Sequence, residues 1–552
     1  MAPFAASASS SSEISIHLHQ AALTLPDGRC ILHPSSFAFY ELRYAIVGPN
    51  GSGKTLLGEL LMGLRTPSAG RVERHGRWYY VRQQPEAGLP AGAQVIDLLG
   101  LAPWFRALER VERGEPEDGD IDALDGRWQL REHAAEALAA AGLSGLHAQS
   151  PLARLSGGER TRIALAGAFL SGADGLLLDE PSNHLDAGAR TWLSNQLQRW
   201  PGHIITISHD RALLEQIPVT VALQAERLAR HGGNYASWQS AVRQQQAAIS
   251  AELDHLRAER KRASRERSAA HDAQQRRHAH NQRQGSQANL DGLTKGRRKD
   301  GAQAYDGRET QKREQQRQNL DNEVRETFSR LLPDTGVVLA LPQSHVPANR
   351  RVLTCERLRL PCHPPSFPAL DLCLNGPVRI GITGPNGAGK STFLDLVAGE
   401  LRPVHGRCET GVRCARIDQN ASAYLPAALS VLQALSRLNS PLTESELRTR
   451  LAQLGLAADT VTRPSAHYSG GERMKAALAC ALWGSEPAQL LLLDEPGNHL
   501  DLPALEALEH ALIAYPGALM VVSHDTHFLN ALALTHRLHI GPGGWRLEPV
   551  SG

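Results

Sequence analysis

The stretch GPNGSGKT at 48–55 recurs as GPNGAGKS at 384–391, and this repeat decides the fold. Each copy fits G-x-x-x-x-G-K-[ST], a Gly-rich turn between a strand and a helix. Small residues let the backbone N–H groups wrap a phosphate, the helix N-terminus favours an anion, and the Lys reaches the outer phosphates. The flanks agree. Tyr44 to Val47 and Arg379 to Thr383 read as short buried strands, and Leu56, Leu57, Leu60 and Leu61 follow the first loop at helical spacing.

Three more blocks recur in the same order. LSGGER at 155–160 returns as YSGGER at 468–473, LLLDEPSNHLD at 176–186 as LLLDEPGNHLD at 491–501, and ISHD at 207–210 as VSHD at 522–525. Four blocks in one order mean two copies of one domain. Apolar runs ending in Asp-Glu-Pro or Ser-His-Asp read as buried strands of a mostly parallel α/β sheet, with the polar residues at the carboxyl ends where ligands bind. The first copy holds about twenty extra residues between Lys54 and Ser156, placed near 104–126 as an acidic loop. The expected layout is a Ser/Ala-rich disordered tail at 1–12, domains at 13–238 and 350–548, and a helical linker at 239–335.

Between the copies the composition shifts. Residues 257–299 carry thirteen Lys/Arg against four Asp/Glu, although the whole chain of 552 residues has a formal net charge of only +2. A basic segment therefore joins acidic domains. Val242, Ile249, Leu253 and Leu256, then Leu320, Val324, Phe328 and Leu331, form two narrow apolar stripes. They read as an antiparallel helical pair with its tip at 285–302. Seven scattered Cys without a C-x-x-C pair argue against a disulfide framework or zinc ribbon and read as buried apolar residues. No run of eighteen apolar residues exists, so no membrane span is expected. The N-terminus lacks the basic and apolar regions of a secretory signal.

The residues suggest Mg²⁺-nucleotide chemistry. Thr55 and Ser391 offer hydroxyls to the metal, and Asp179 and Asp494 offer strand-end carboxylates. Glu180 and Glu495 are placed to orient or deprotonate water, and His209 and His524 to reach the outermost phosphate.

With the phosphate loops upstream and Asp-Glu downstream, Ser156-Gly157-Gly158-Glu159-Arg160 and Ser469-Gly470-Gly471-Glu472-Arg473 resemble the signatures of ATP-binding cassette (ABC) ATPases. Asn183-His184-Leu185-Asp186 and Asn498-His499-Leu500-Asp501 resemble the variant typical of the ABC-F subfamily, which has tandem cassettes, a charged helical linker and no transmembrane domain. The resemblance implies two head-to-tail P-loop cassettes sandwiching two ATP and Mg²⁺. One site would take Gly48, Pro49, Asn50, Gly51, Ser52, Gly53, Lys54, Thr55 and Glu180 with Ser469, Gly470 and Gly471. The other would take Gly384, Pro385, Asn386, Gly387, Ala388, Gly389, Lys390, Ser391 and Glu495 with Ser156, Gly157 and Gly158. Gln83 and Gln419 resemble the glutamines that touch metal and water, with Gln84 an equal alternative to Gln83. The resemblance further implies ATP hydrolysis in the cytoplasm by a monomer with an intramolecular cassette pair. It implies action on the ribosome, with the linker reaching rRNA and the P-site tRNA.

The sequence departs from that pattern in places. No stacking aromatic is expected before either phosphate loop, where the family holds adenine. Ser182 and Gly497 stand where the family carries Thr. Two other readings remain open: the energising subunit of a transporter with separate permeases, and an ATPase of DNA repair or chromosome structure.

Overall fold

The computed structural model describes residues 14–285, 315, 319, 321–324, 327, 342–418, 424–498 and 500–550. The expected tail at 1–12 and Gln419 lie outside the described residues. So do the linker tip, apart from Gly285, and Leu320, Phe328 and Leu331 of the second stripe. Among the described residues, no helix is long and apolar enough to cross a membrane.

Each cassette is built on a six-stranded sheet. In the first, the order is Trp78–Val81, Gly175–Asp179, His203–Ile207, Arg43–Val47, Val219–Gln224 and Arg227–Gly232. The first five strands run parallel and the last pairs antiparallel. The second cassette repeats this with Cys414–Ile417, Leu490–Asp494, Ala518–Val522, Arg379–Thr383, His536–Gly541 and Gly544–Pro549. Strands covered on both faces read as continuous apolar runs, and Leu490 to Leu493 are each fully buried. A smaller antiparallel three-stranded sheet accompanies each cassette. Its members are Cys30–Phe39, Ser15–Thr24 and Ala69–His75 in one, and Leu370–Asn375, Arg351–Arg359 and His405–Thr410 in the other.

The phosphate loops sit where the central strands Arg43–Val47 and Arg379–Thr383 turn into the helices Lys54–Leu61 and Lys390–Ala398. The strands ending in Asp179 and Asp494 and those ending in Ile207 and Val522 are neighbours in the same sheets. All the polar strand ends therefore gather at one edge. The two cassettes also touch directly. Arg211 donates to Glu509 at 2.7 Å, and both side chains are nearly buried.

The extra stretch of the first cassette is more ordered than an acidic loop. It holds the helix Ala102–Glu112 and the helical turn Asp120–Ala123. Arg110 grips the buried Asp120 at 2.8 and 2.5 Å, while Leu108 and Leu124 pack a small satellite core with Trp104. A buried acidic residue gripped by a half-buried arginine no longer needs solvent, and the composition of the segment conceals that pairing. The cysteines also differ from expectation. Cys355 and Cys480 are buried, but Cys362 and Cys373 are exposed and Cys30, Cys408 and Cys414 are intermediate. Strand alternation, not residue type, decides: Cys373 occupies an outward position in a strand with alternating burial.

Ser237–Asp334 forms a separate compact unit. A single helix runs Tyr235–Gly285 over 51 residues. Leu253 is buried, whereas Arg257, Arg260, Lys261, Arg262 and Arg265 are exposed. Arg260 lies 3.5 Å from Asp321, so the chain returns beside the helix there.

Leu492 lies at the centre of a buried strand with no exposure. Leu492→Ala is expected to cost about 3 kcal/mol by removing buried methyl groups and leaving a cavity. A denaturant titration of the full chain would show an earlier midpoint, and an unchanged midpoint would contradict the assignment of this strand to the core.

Candidate nucleotide site

Glycine shapes both phosphate loops. Gly53 and Gly389 cap their helices at φ 89° and 86°, a left-handed conformation costly for other residues. Space is also short. A Cβ on Gly53 would lie 2.3 Å from the Ile31 side chain, and one on Gly384 would lie 2.3 Å from the Ile540 carbonyl oxygen. At these two positions the loop backbone packs directly on Ile31 and Ile540, so only glycine fits the tight turn that a phosphate loop needs. Lys54 Nζ donates to the carbonyls of Gly48 and Pro49 at 2.8 and 2.9 Å. Lys390 Nζ does the same to Gly384 and Pro385, both at 2.9 Å. Burial lowers the pKa of Lys54, opposed by the charges of Glu180, Asp501 and Asp179.

The acidic residues stand where the strands end. Asp179 is 1% exposed, and its Oδ1 is buried without a hydrogen-bond partner. Its Oδ2 accepts from the Tyr80 hydroxyl at 3.3 Å, and the Thr55 hydroxyl also bonds the carboxylate. A buried carboxylate with an unused oxygen beside a hydroxyl is a donor set suited to a hard divalent cation. Asp494 ends the corresponding strand, next to Arg416 at 3.8 Å.

Glu180 and Glu495 follow at φ 49° and 47°, strained for non-glycine residues. Their N–H groups donate to the Ile207 and Val522 carbonyls at 2.8 and 2.9 Å, which fixes both turns. His209 Nε2 lies 3.5 Å from Glu180 Oε1, and His524 Nε2 lies 3.5 Å from Glu495 Oε1. Burial, then Asp179, raises the pKa of Glu180, while burial pushes Glu495 up to about 7. Burial, then the nearby lysine, pulls His209 down to about 3 and His524 to about 4. Both imidazoles are therefore neutral near pH 7. Each faces a carboxyl poised to exchange a proton, the condition a general base needs.

Ser156 and Ser469 begin 14-residue helices as capping boxes. Ser156 Oγ accepts from the Glu159 N–H at 3.3 Å while the Ser156 N–H donates to Glu159 Oε2 at 2.8 Å. Ser469 and Glu472 repeat both bonds. The Ser-x-x-Glu spacing thus has a local structural role in fixing the helix start.

The two cassettes meet head to tail through these elements. The Asn50 N–H donates to Asp501 Oδ2 of the other cassette at 2.7 Å, and the Asn386 N–H donates to Asp186 Oδ2 at 3.3 Å. Asn386 Nδ2 also donates to the His184 carbonyl at 3.1 Å. A cavity of about 310 Å³ is lined by Asn50, Gln83, Glu180 and His209 of the first cassette together with Ser469 and Gly470 of the second. Across the other junction, a Cβ on Gly158 would stand 3.5 Å from Asn386 Nδ2. Gly51, Ser52, Gly387, Ala388, Ser391, Gly157 and Gly471 lie within the loops and helix starts just described. Of the two candidate glutamines, Gln83 lines the cavity.

Sequence reasoning missed several residues. Asp186 and Asp501 cap their helices through Ala189 and Ala504 and simultaneously hold the opposing loops. Their sequence signal was their place at the end of the repeated Asn-His-Leu-Asp block, which did not show the contact with the opposing loop. Contrary to expectation, an aromatic group does precede the second phosphate loop. His363 Nε2 lies 2.9 Å from the Ala388 carbonyl oxygen, and its ring lies tilted by 38° against Phe367 with centroids 3.7 Å apart. Its Pro-rich surroundings carry no helical or strand periodicity to flag it.

The family profile described as ABC transporter matches residues 32–183 and 368–498. The chain is 33% identical over 535 residues to the probable ATP-binding protein YheS of Escherichia coli, covering 92% of this chain and 76% of that one. It is 34% identical over 571 residues to the tylosin resistance ATP-binding protein TlrC of Streptomyces fradiae, covering 96% and 97%. To ATP-binding cassette sub-family F member 3 of Rattus norvegicus it is 29% identical, covering 88% and 66%. Among solved structures, the complex of an archaeal ribosomal stalk protein with the ribosome recycling factor aABCE1 matches with TM-score 0.58 and 19% identity, over 96% of this chain and 89% of that one. That likeness concerns the fold alone. With two matched cassettes, a relative 34% identical over 97% of its length and paired signature helices, the chain belongs to the ABC-F subfamily of ATP-binding cassette proteins.

Proposed function

We propose that this protein binds two ATP–Mg²⁺ between its cassettes, hydrolyses them, and uses the resulting opening and closing to act on the ribosome in the cytoplasm. The observation that carries the nucleotide part is the double clasp, Asn50 on Asp501 and Asn386 on Asp186, which seats each phosphate loop against the opposite cassette. Lys54 and Lys390 would turn from the loop carbonyls to the outer phosphate oxygens. The hydroxyls of Thr55 and Ser391 and the carboxylates of Asp179 and Asp494 would hold Mg²⁺, with Gln83 and Gln419 beside it. When bound, Mg²⁺ neutralises phosphate charge and fixes the oxygens in line. Glu180 and Glu495 would take a proton from the attacking water. His209 and His524, neutral and 3.5 Å away, would orient those carboxylates and reach the outermost phosphate. Ser469, Gly470 and Gly471, with Ser156, Gly157 and Gly158, would close the sites from across the junction, their helix N-termini aimed at the negative charge.

The ribosomal part rests on the basic helix. Arg257, Arg260, Lys261, Arg262 and Arg265 are exposed along one arm, and planar guanidinium groups suit phosphate recognition. Double-stranded RNA is bound mainly through shape and backbone, consistent with a segment nearly free of aromatic residues. An antibiotic-resistance protein among the similar proteins supports the same direction. We take rRNA and the P-site tRNA as the surfaces this arm reaches.

Lys54→Ala and Lys390→Ala should each remove one of two bound nucleotides in equilibrium dialysis, and the double variant both. Full occupancy in the double variant would contradict the assigned sites. Glu180→Gln with Glu495→Gln should lower hydrolysis by about 10²–10⁴-fold while leaving binding intact. The same variant should pellet with ribosomes in an ATP-dependent manner, and the association should weaken steeply as salt rises. Intact nucleotide binding without ribosome association at any salt would overturn the ribosomal reading and direct attention to a membrane or DNA partner.

A further inference from the structure

The two sites share their motifs but differ at one register position outside them. Tyr80 pairs with Leu177 across the sheet, two residues before Asp179. Arg416 pairs with Leu492, two residues before Asp494. The same place in the two cassettes therefore holds a neutral phenol in one and a guanidinium in the other. Tyr80 donates its hydroxyl to Asp179 at 3.3 Å. Arg416 is 17% exposed in its side chain and is held by Asp395 at 2.5 Å and Glu400 at 2.9 Å, with Asp494 at 3.8 Å. The counterpart of Asp395, five residues past the loop lysine, is Glu59, which pairs outward with Arg65 at 3.0 Å. In the first cassette the strand-end carboxylate thus faces no cation from the neighbouring strand. In the second it faces a fixed one.

We propose that Arg416 competes electrostatically with Mg²⁺ for Asp494, so the second site demands a higher Mg²⁺ concentration than the first and the two nucleotides load in a fixed order. The inference rests on the reading that both loops hold a nucleotide–metal complex. A positive charge within a few ångströms of a divalent ion in a partly buried site opposes its binding; Asp395 and Glu400 carry two negative charges against its one, yet the guanidinium is the group that stands beside Asp494, at 3.8 Å. An expected gap of about three- to tenfold in ion affinity follows. Arg416 is here a positioning residue, acting on the metal through the carboxylate it faces.

The test uses the full chain carrying Glu180→Gln and Glu495→Gln, saturated with ATP and titrated with Mn²⁺ as a paramagnetic substitute for Mg²⁺. Free and bound ion are counted by electron paramagnetic resonance, which does not depend on turnover. Two classes of ion are expected, one per site. Arg416→Tyr should strengthen the weaker class until the two merge, and Tyr80→Arg should weaken the tighter one. Arg416→Gln, which removes the charge but leaves an amide able to donate toward Glu400, guards against misfolding of the tyrosine variant and should also draw the classes together. A single class in the parent chain, or two classes unmoved by both Arg416 variants, overturns the inference while leaving the nucleotide reading intact. Absence of ATP-dependent Mn²⁺ binding at either site overturns both.

Discussion

Each cassette surrenders half of one carboxylate to the other, and the head-to-tail arrangement depends on that division. Asp186 Oδ1 caps its own helix through the Ala189 N–H at 2.9 Å, and Oδ2 receives the N–H of Asn386 from the opposing phosphate loop. Asp501 does the same with Ala504 and Asn50. Burial works against the charged form of Asp186, yet the two N–H groups hold its pKa below the ordinary carboxylate range. Hydrogen bonds to an ionised oxygen are about twice as strong as neutral ones, so one residue fixes both a helix start and a domain junction. The signature helices are then brought to the junction without needing contacts of their own.

Closure also governs the electrostatics of the sites. Arg190, on a helix of the first cassette, is bonded to Asp210 and the Leu185 carbonyl and projects its charge onto Glu495 and His524 of the second. Asp501 of the second cassette acts in turn on Lys54 and His209 of the first. The protonation state of Glu495, and those of Lys54 and His209 beside Glu180, are thus partly set by the cassette across the junction. Separating the cassettes would change those charges and readmit water, which couples opening to loss of catalytic competence without any further device.

Much of this was legible because the chain states it twice. A single G-x-x-x-x-G-K-[ST] match is weak, but a second copy at the same place relative to Asp-Glu-Pro and Ser-His-Asp leaves little freedom in the topology. The strand-end positions of Asp179 and Asp494 followed from the apolar runs before them. What escaped had no periodic or compositional trace. Asp120 reads in sequence as one of several solvated acids, yet it is buried and held by Arg110. His363 lies in a stretch of prolines where no regular pattern holds. That Gln83 rather than Gln84 lines the cavity could not be read from periodicity, because both lie past the end of the strand Trp78–Val81.

The same doubling that revealed the fold conceals the differences between its halves. Aligning the motifs makes the sites look equal, because motif residues are those the phosphate chemistry fixes. Their neighbours are under no such constraint. Leu505 stands where the first cassette has Arg190, and Arg416 where it has Tyr80, so the second site gains two cations that the first lacks. Arg190 reaches Glu495 from the opposite cassette and would leave it if the cassettes parted, whereas Arg416 faces Asp494 from the adjacent strand of its own sheet. One asymmetry therefore depends on the conformational state and the other does not. A protein built from two equal sites would have no physical basis for ordering its two nucleotides, and these substitutions supply one through charge alone.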